Sequence, residues 1–88
     1  MNNTYELLIS SPNGDIFKDE VTMLTLRGID GDLAILANHI PFVTTVLKCQ
    51  CKIELPDGTQ KLAETDGGLL TVGSDNVTFL TGSFIFKQ

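Results

Sequence analysis

Apolar residues recur at every second position in several short segments of the chain. This spacing is found at three places: Tyr5, Leu7 and Ile9; Cys51, Ile53 and Leu55; Val77 and Phe79. A period of two places apolar side chains on one face of a strand and the intervening side chains on the other. The pattern therefore predicts half-buried β-strands.

Residues typical of turns separate these segments. The turn segments are residues 12–15, 28–31, 56–58, 66–68 and 73–76. Glycine supplies a positive φ at such places, and asparagine or aspartate tolerates one. Asp57-Gly58 predicts a hairpin between residues 51–55 and 59–63. Residues 16–26 are expected to form one long bent strand or two short ones.

No segment predicts a helix. The best window, residues 32–47, has Pro41 in its middle and β-branched residues after it, and both features oppose a helix. Many short strands with frequent turns are typical of a sandwich or barrel. We therefore predict a single all-β domain over residues 1–88. Its architecture would be a two-layer antiparallel β-sandwich of about 8–10 short strands.

Composition and charge narrow the possible partners. Hydrophobic residues make up 42% of the chain, and 11 acidic residues against 6 basic ones give a net charge of −5. This balance disfavours nucleic acid and anionic lipid, because both need a basic patch. No apolar run approaches the roughly 20 residues of a membrane span, so no direct membrane insertion is expected. Residues 1–4 lack the features of a signal peptide, which makes the cytoplasm the expected compartment.

The residues that could carry chemistry are few. His39 is the one histidine, and no serine lies in a G-x-S-x-G context. Asp30 and Asp32 share a loop that is either a solvated acidic turn or a partner-binding site, and it lacks the six oxygen ligands of a cation site. Gly67-Gly68 has no phosphate-binding pattern around it. We expect no catalytic residue, metal or cofactor.

Cys49 and Cys51 are separated by one residue. On a strand they would share a face at roughly 6.6 Å, near the upper limit for a disulfide. Two thiols alone do not make a zinc site. We expect both to act as small hydrophobic residues that face the interior.

The residues from Gly28 to Pro41, G-I-D-G-D-L-A-I-L-A-N-H-I-P, resemble a segment of the ε subunits of bacterial F-type ATP synthases. In that family the segment is G-x-x-G-E/D-L-G-I-L-x-x-H-x-P. Three further segments resemble the family in the same order, at residues 11–17, 67–72 and 76–80. The likeness extends over residues 4–80 without gaps and implies the family's N-terminal β-sandwich.

The chain departs from the family pattern at several places. Ala34 stands where the family usually has glycine, so a positive φ is not expected there, while Cys49 replaces a turn glycine and Asp66 a small residue. Family members usually continue into a two-helix C-terminal domain, which in some members binds ATP. The sequence stops before those helices, so no nucleotide binding is expected. Residues 84–86 are predicted to pack as a final strand, which favours a natural terminus.

The resemblance implies a non-catalytic subunit of the central stalk, or rotor. Such a subunit couples rotation of the c-ring to the γ subunit during proton- or sodium-driven ATP synthesis. It is peripheral, at the cytoplasmic face of the cell membrane.

The resemblance also implies which residues meet each partner. The expected c-ring contact is Asp30, Gly31 and Asp32, and the expected interface with γ or the c-ring is Ser11, His39 and Thr44. Structural roles in turns are assigned to Gly28, Asn38, Pro41, Gly67 and Gly68. Leu8, Phe42 and Val43 are candidates for burial against γ, with a core role for Phe42 as an equal alternative.

Two other functions stay open. An unrelated β-sandwich module for a peptide or carbohydrate would usually expose aromatic side chains or a groove, and this chain has no Trp and one Tyr. A pull-down that yields γ or a glycan distinguishes the two binding functions. A small enzyme is the other alternative, and a tight metal or nucleotide stoichiometry would support it.

Overall fold

Residues 3–87, which the computed structural model describes, form ten β-strands and no helix. The strands are β1 (Tyr5–Ser11), β2 (Gly14–Val21), β3 (Met23–Gly28), β4 (Gly31–Leu36), β5 (Phe42–Val46), β6 (Cys49–Glu54), β7 (Gln60–Thr65), β8 (Gly68–Val72), β9 (Asn76–Thr81) and β10 (Phe84–Lys87). Met1, Asn2 and Gln88, which the predicted domain includes, lie outside the described residues. The prediction of an all-β fold built from short strands is confirmed.

The strands form one continuous hydrogen-bonded sheet that folds onto itself. Its order is β10-β7-β6-β3-β5-β8-β9-β1-β2, with β4 paired to β3. Strands β3 and β5 share a single register pair, Gly28 with Val46, and at this point the sheet turns back on itself. One layer is thus β4-β3-β6-β7-β10 and the other is β5-β8-β9-β1-β2. The predicted two-layer sandwich is confirmed.

One strand pair differs from the predicted antiparallel arrangement. Strand β1 runs parallel to β9, with Leu7 beside Val77 and Ile9 beside Phe79. Parallel neighbours cannot be joined by a hairpin, because the chain must cross from one end of the sheet to the other between them. The pairing therefore ties the first strand of the chain to its last third.

The alternating apolar positions form the core between the layers. Leu7, Ile9, Ile53 and Phe79 have no exposed surface. The rings of Phe79 on β9 and Phe84 on β10 meet edge to face across the layers, with centroids 6.2 Å apart. The final strand predicted at residues 84–86 is confirmed. Close-packed interiors deform little, so a buried core of this kind favours a rigid domain.

Tyr5 adds a polar link between the layers. Its hydroxyl, buried within the sandwich, donates to the carbonyl oxygen of Ile35 on β4 at 2.7 Å. Burial raises the pKa of Tyr5 far above its ordinary value, so the hydroxyl keeps its proton. A buried hydroxyl needs such a partner, because an unpaired one would destabilise the fold.

The hairpin predicted between residues 51–55 and 59–63 is confirmed. The hairpin at Asp57-Gly58 joins β6 to β7, and Gly58 has a φ of 91°. The N–H of Thr59 donates to the Asp57 carboxylate at 2.8 Å and lowers the pKa of that carboxyl. Residues 16–26 lie in two strands, which break at Thr22 where the chain passes from one layer to the other.

Two glycines lie in crowded positions where β7 leads into β8: Gly67 in the turn and Gly68 as the first residue of β8. A Cβ on Gly67 would collide with the carbonyl oxygen of Val46, and one on Gly68 with the carbonyl oxygen of Leu80. Gly67 also has a φ of 97°, which L-residues rarely adopt. The Thr81 hydroxyl donates to the Gly67 carbonyl at 2.6 Å. Both glycines therefore lie where no side chain fits.

Candidate interaction surface

The hairpin of β3 and β4 carries the residues predicted to contact the c-ring. Gly28 pairs with Gly31, so Ile29 and Asp30 form a two-residue turn. Gly31 has a φ of 130°, in a region that favours glycine. A Cβ at Gly28 would come within 2.9 Å of a leucine side chain on β4. The N–H of Ile29 donates to the carbonyl of Thr45 at 3.0 Å, which holds the hairpin tip against β5.

The two carboxylates of this hairpin have different surroundings. Arg27 Nε donates to Asp32 Oδ1 at 3.0 Å across the strand pair, and both side chains are largely exposed. Asp30 is exposed at the turn and, within residues 3–87, is in neither of the two ion pairs. The tip thus presents one unpaired carboxylate and one that an arginine partly neutralises.

Ser11 lies at the end of β1 and braces the next turn. Its hydroxyl donates to the carbonyl of Gly14 and accepts from the N–H of Asn13, each at 3.2 Å. It also lines a groove of about 430 Å³ together with Pro12 and Leu80. Ser11 is therefore a turn residue at the border of a groove.

His39 lies in the connection from β4 to β5. Its Nδ1 is 2.9 Å from the carbonyl oxygen of Ile40, and its ring is 5.1 Å from the Phe42 ring. Asn38, just before it, has a φ of 65°, the one positive value outside glycine in the described residues. Pro41 follows and is exposed. The histidine braces its own turn and has an exposed side chain.

Thr44 lies on the inner side of β5. Phe42, Thr44 and Val46 alternate with the exposed residues Val43 and Thr45 along this strand. Phe42 packs against the core, which supports the core alternative for that residue. A partner on the outer side of β5 would therefore meet Val43 and Thr45, while Thr44 is half-buried on the opposite side of the strand.

Two neighbouring rows of side chains on the outer side of β5, β8, β9 and β1 carry no charge. We term this surface the outer face, and register pairs define two rows across it: Val43, Thr71, Thr78 and Leu8; Thr45, Leu69, Leu80 and Ser10. Val43 is 61% exposed, Leu80 49% and Leu69 43%. Uncharged, partly apolar faces of this kind are typical of surfaces that bind other proteins.

Most of the outer face was not predicted from the sequence, where Leu8 and Val43 were candidates but Leu69 and Leu80 were not. The signal was present, because Leu69-Leu70 and Phe79-Leu80 are adjacent apolar pairs on strands that bury every second residue. Alternation therefore requires one residue of each pair to point outwards, and these residues are Leu69 and Leu80.

The side chains of residues 3–87 offer neither a metal site nor an unpaired buried polar group. Within residues 3–87, no three His, Cys, Asp or Glu side chains could hold a metal ion, and every buried side-chain nitrogen or oxygen has a hydrogen-bond partner. The same residues contain no helix of the length and apolar character that crossing a bilayer takes.

A sequence profile identifies the family. The profile of the ATP synthase delta/epsilon chain β-sandwich domain matches residues 4–87. The chain belongs to this family. The ε-type sandwich thus accounts for all ten strands described above.

Two relatives of this ε-family chain are ATP synthase epsilon chains. The ATP synthase epsilon chain, sodium ion specific, of Acetobacterium woodii is 36% identical over 81 residues, which cover 92% of this chain and 61% of that protein. The ATP synthase epsilon chain of Caldicellulosiruptor bescii is 39% identical over 77 residues, 88% of this chain and 56% of that protein. The chain thus spans roughly three fifths of the length of these two relatives.

A solved structure has the same ε-type fold. A chain in the cryo-EM structure of the Euglena gracilis mitochondrial ATP synthase, described as OSCP/F1/c-ring in rotational state 1, superposes with a TM-score of 0.90. It is 19% identical, and the match covers 98% of this chain and 55% of that chain. At this identity the likeness establishes the fold.

Two departures from the ε-family pattern can be located. Ala34 lies within β4 and has no positive φ, as expected. Cys49 begins β6, and its sulfur accepts the N–H of Arg27 at 3.3 Å. Cys51 is buried as predicted, but Cys49 is only half-buried because it lies at the start of the strand. Both thiols are free.

The environment of Cys51 predicts a dependence of stability on pH. Burial, and secondarily the neighbouring Cys49, raise the pKa of the Cys51 thiol. The buried thiol stabilises the fold fully below the pKa of about 8.5 that it has in the unfolded chain. This contribution is lost as pH rises through the higher pKa of the folded state. Urea unfolding of this ε-type domain should therefore show a free energy that falls steadily as pH rises above about 8.5 towards the folded-state pKa of about 12.

A Cys51→Ala variant should show a flatter pH profile in the same range. Reaction with a thiol reagent gives a second readout, because Cys49 should react in the folded protein and Cys51 only after unfolding. Equal reaction rates for both thiols in the folded protein would contradict this assignment.

Proposed function

We propose that this domain is a non-catalytic part of the rotor of an F-type ATP synthase. It couples rotation of the c-ring to the γ subunit, as a peripheral subunit at the cytoplasmic face of the membrane. The observation that carries the proposal is that the hairpin tip adjoins the outer face, through the 3.0 Å hydrogen bond from Ile29 to Thr45. One stiff body with two adjoining surfaces can hold two partners in a fixed relation.

The outer face is the surface proposed for γ. Val43, Leu69 and Leu80 offer partly exposed apolar area, and the intervening threonines carry no charge. Covering such a face removes apolar surface from water without burying an unpaired charge. Ser11 borders this face through the groove that it lines with Leu80.

The hairpin tip is the surface proposed for the c-ring. Asp30, Gly31 and Asp32 would meet a basic residue on a polar loop of that ring. Opposite charges at the rim of an interface orient the partners and speed association more than they tighten binding. His39 holds the β4–β5 turn, and Thr44 would act indirectly, through the core side of β5. The domain needs no cofactor or bound nucleotide for this role.

Reversing the charge of the tip tests this proposal. The variant Asp30→Lys/Asp32→Lys should lower ion pumping coupled to ATP hydrolysis roughly two- to tenfold in reconstituted membranes. Its urea midpoint should change little, because both side chains are exposed and the Arg27–Asp32 pair is a surface ion pair. Asp66→Lys is the matched control, since Asp66 is an exposed carboxylate in the β7–β8 turn. Wild-type pumping by the double variant would contradict the ring contact.

A further inference from the structure

The border of the outer face at β2 carries two carboxylates on opposed positions. Glu6 on β1 pairs directly with Glu20 on β2, and both side chains are exposed. They lie one row beyond Leu8, on the same side of the sheet as the outer face. Like charges directly opposite each other on neighbouring strands destabilise a sheet.

Neither ion pair of residues 3–87 includes Glu6 or Glu20. The ion pairs of these residues are Arg27 with Asp32 and Lys87 with Glu64. Lys18, the basic residue nearest in register, is opposite Leu8 and pairs with neither glutamate. The Glu20 carboxylate accepts the hydroxyl of Thr4 at 2.6 Å, which leaves its charge in place. The domain thus places two like charges, neither of them in an ion pair among residues 3–87, at the edge of an apolar face.

We propose that the partner of the outer face places a basic side chain between Glu6 and Glu20. The inference rests on the proposed function and specifies its γ surface: apolar side chains opposite Val43, Leu69 and Leu80, and a lysine or arginine at the β2 border. A cation there forms two charge-assisted contacts and removes the repulsion of the free domain. The outer face and this acidic corner together fix how the partner is oriented.

Removing the two charges should therefore change the stability of the domain and its binding to the partner in opposite directions. The variant Glu6→Gln/Glu20→Gln removes the repulsion, so its urea midpoint should equal or exceed that of the wild type. The binding target is a complex of γ with the catalytic subunits from which ε has been left out. The affinity of the variant for this complex should fall about tenfold at low salt. The loss should shrink as salt is added, because salt screens exposed charges.

A second variant removes the same net charge elsewhere. Asp57→Asn/Asp66→Asn changes two exposed carboxylates far along the chain from the corner, and its affinity should match that of the wild type. Unchanged binding by the Glu6/Glu20 variant, next to normal binding by the wild type, overturns this inference alone. Absence of wild-type binding overturns the proposed function with it. A gain in midpoint with a salt-dependent loss of affinity supports the inference.

Discussion

Replacing Gly68 with alanine is expected to lower the free energy of unfolding by about 3–5 kcal/mol. The new methyl group would overlap the carbonyl oxygen of Leu80 and press on the backbone of Thr81. Both neighbours are backbone atoms of β9, which pairs with β8 at this point, so they cannot move without breaking the ladder. A small domain of this length has a total stability of about 5–10 kcal/mol, so most of it would be lost.

Urea unfolding followed by circular dichroism measures this loss. Gly82→Ala is the matched control, because a Cβ at Gly82 would meet no atom within 4 Å. The control should stay within about 1 kcal/mol of the wild type. A Gly68→Ala protein as stable as the control would show that β8 and β9 do not approach as closely as described.

Replacing Leu69 with glutamate is expected to weaken binding to γ at least about 100-fold. Leu69 is central in the outer face, opposite Thr45 on one side and Leu80 on the other. A carboxylate there would be covered by the partner without a cation beside it, which is costly. In the free domain the same side chain remains in water, so the stability should change by less than about 1 kcal/mol.

Leu62→Glu provides a control of the same chemistry. Leu62 is 51% exposed and Leu69 43%, and Leu62 lies on β7, in the other layer of the sandwich. Its variant should bind γ like the wild type. If both variants lose affinity equally, the effect comes from charge or folding, and the outer face is not the γ surface.

Much of the fold could be predicted from local sequence. Alternation identified β1, β6 and β9, because these strands bury one face and leave the other in water. Asp57-Gly58 fixed a hairpin, since its conformation depends on neighbouring residues alone. The parallel pairing of β1 with β9 could not be predicted in this way. It joins residues about 70 positions apart, and no turn between them sets the register.

The candidate surface was harder to predict than the fold. The phase of β5 is ambiguous in the sequence Phe-Val-Thr-Thr-Val, because both alternations contain an apolar residue and a threonine. Only the pairing of Thr44 with the buried Leu70 decides which side faces the core. The Arg27–Asp32 ion pair likewise depends on the register of β3 and β4. Side-chain partners across strands follow from register, which local patterns do not determine.

Cross-linking in the assembled ATP synthase tests the central claim most directly. A photoreactive benzophenone side chain would be placed at position 69 on the outer face or at position 30 on the hairpin tip. Position 69 is expected to form an adduct with γ, and position 30 an adduct with the ring subunit. Adducts with neither protein, or the same adduct from both positions, would contradict a domain that joins the shaft to the ring through two adjoining surfaces.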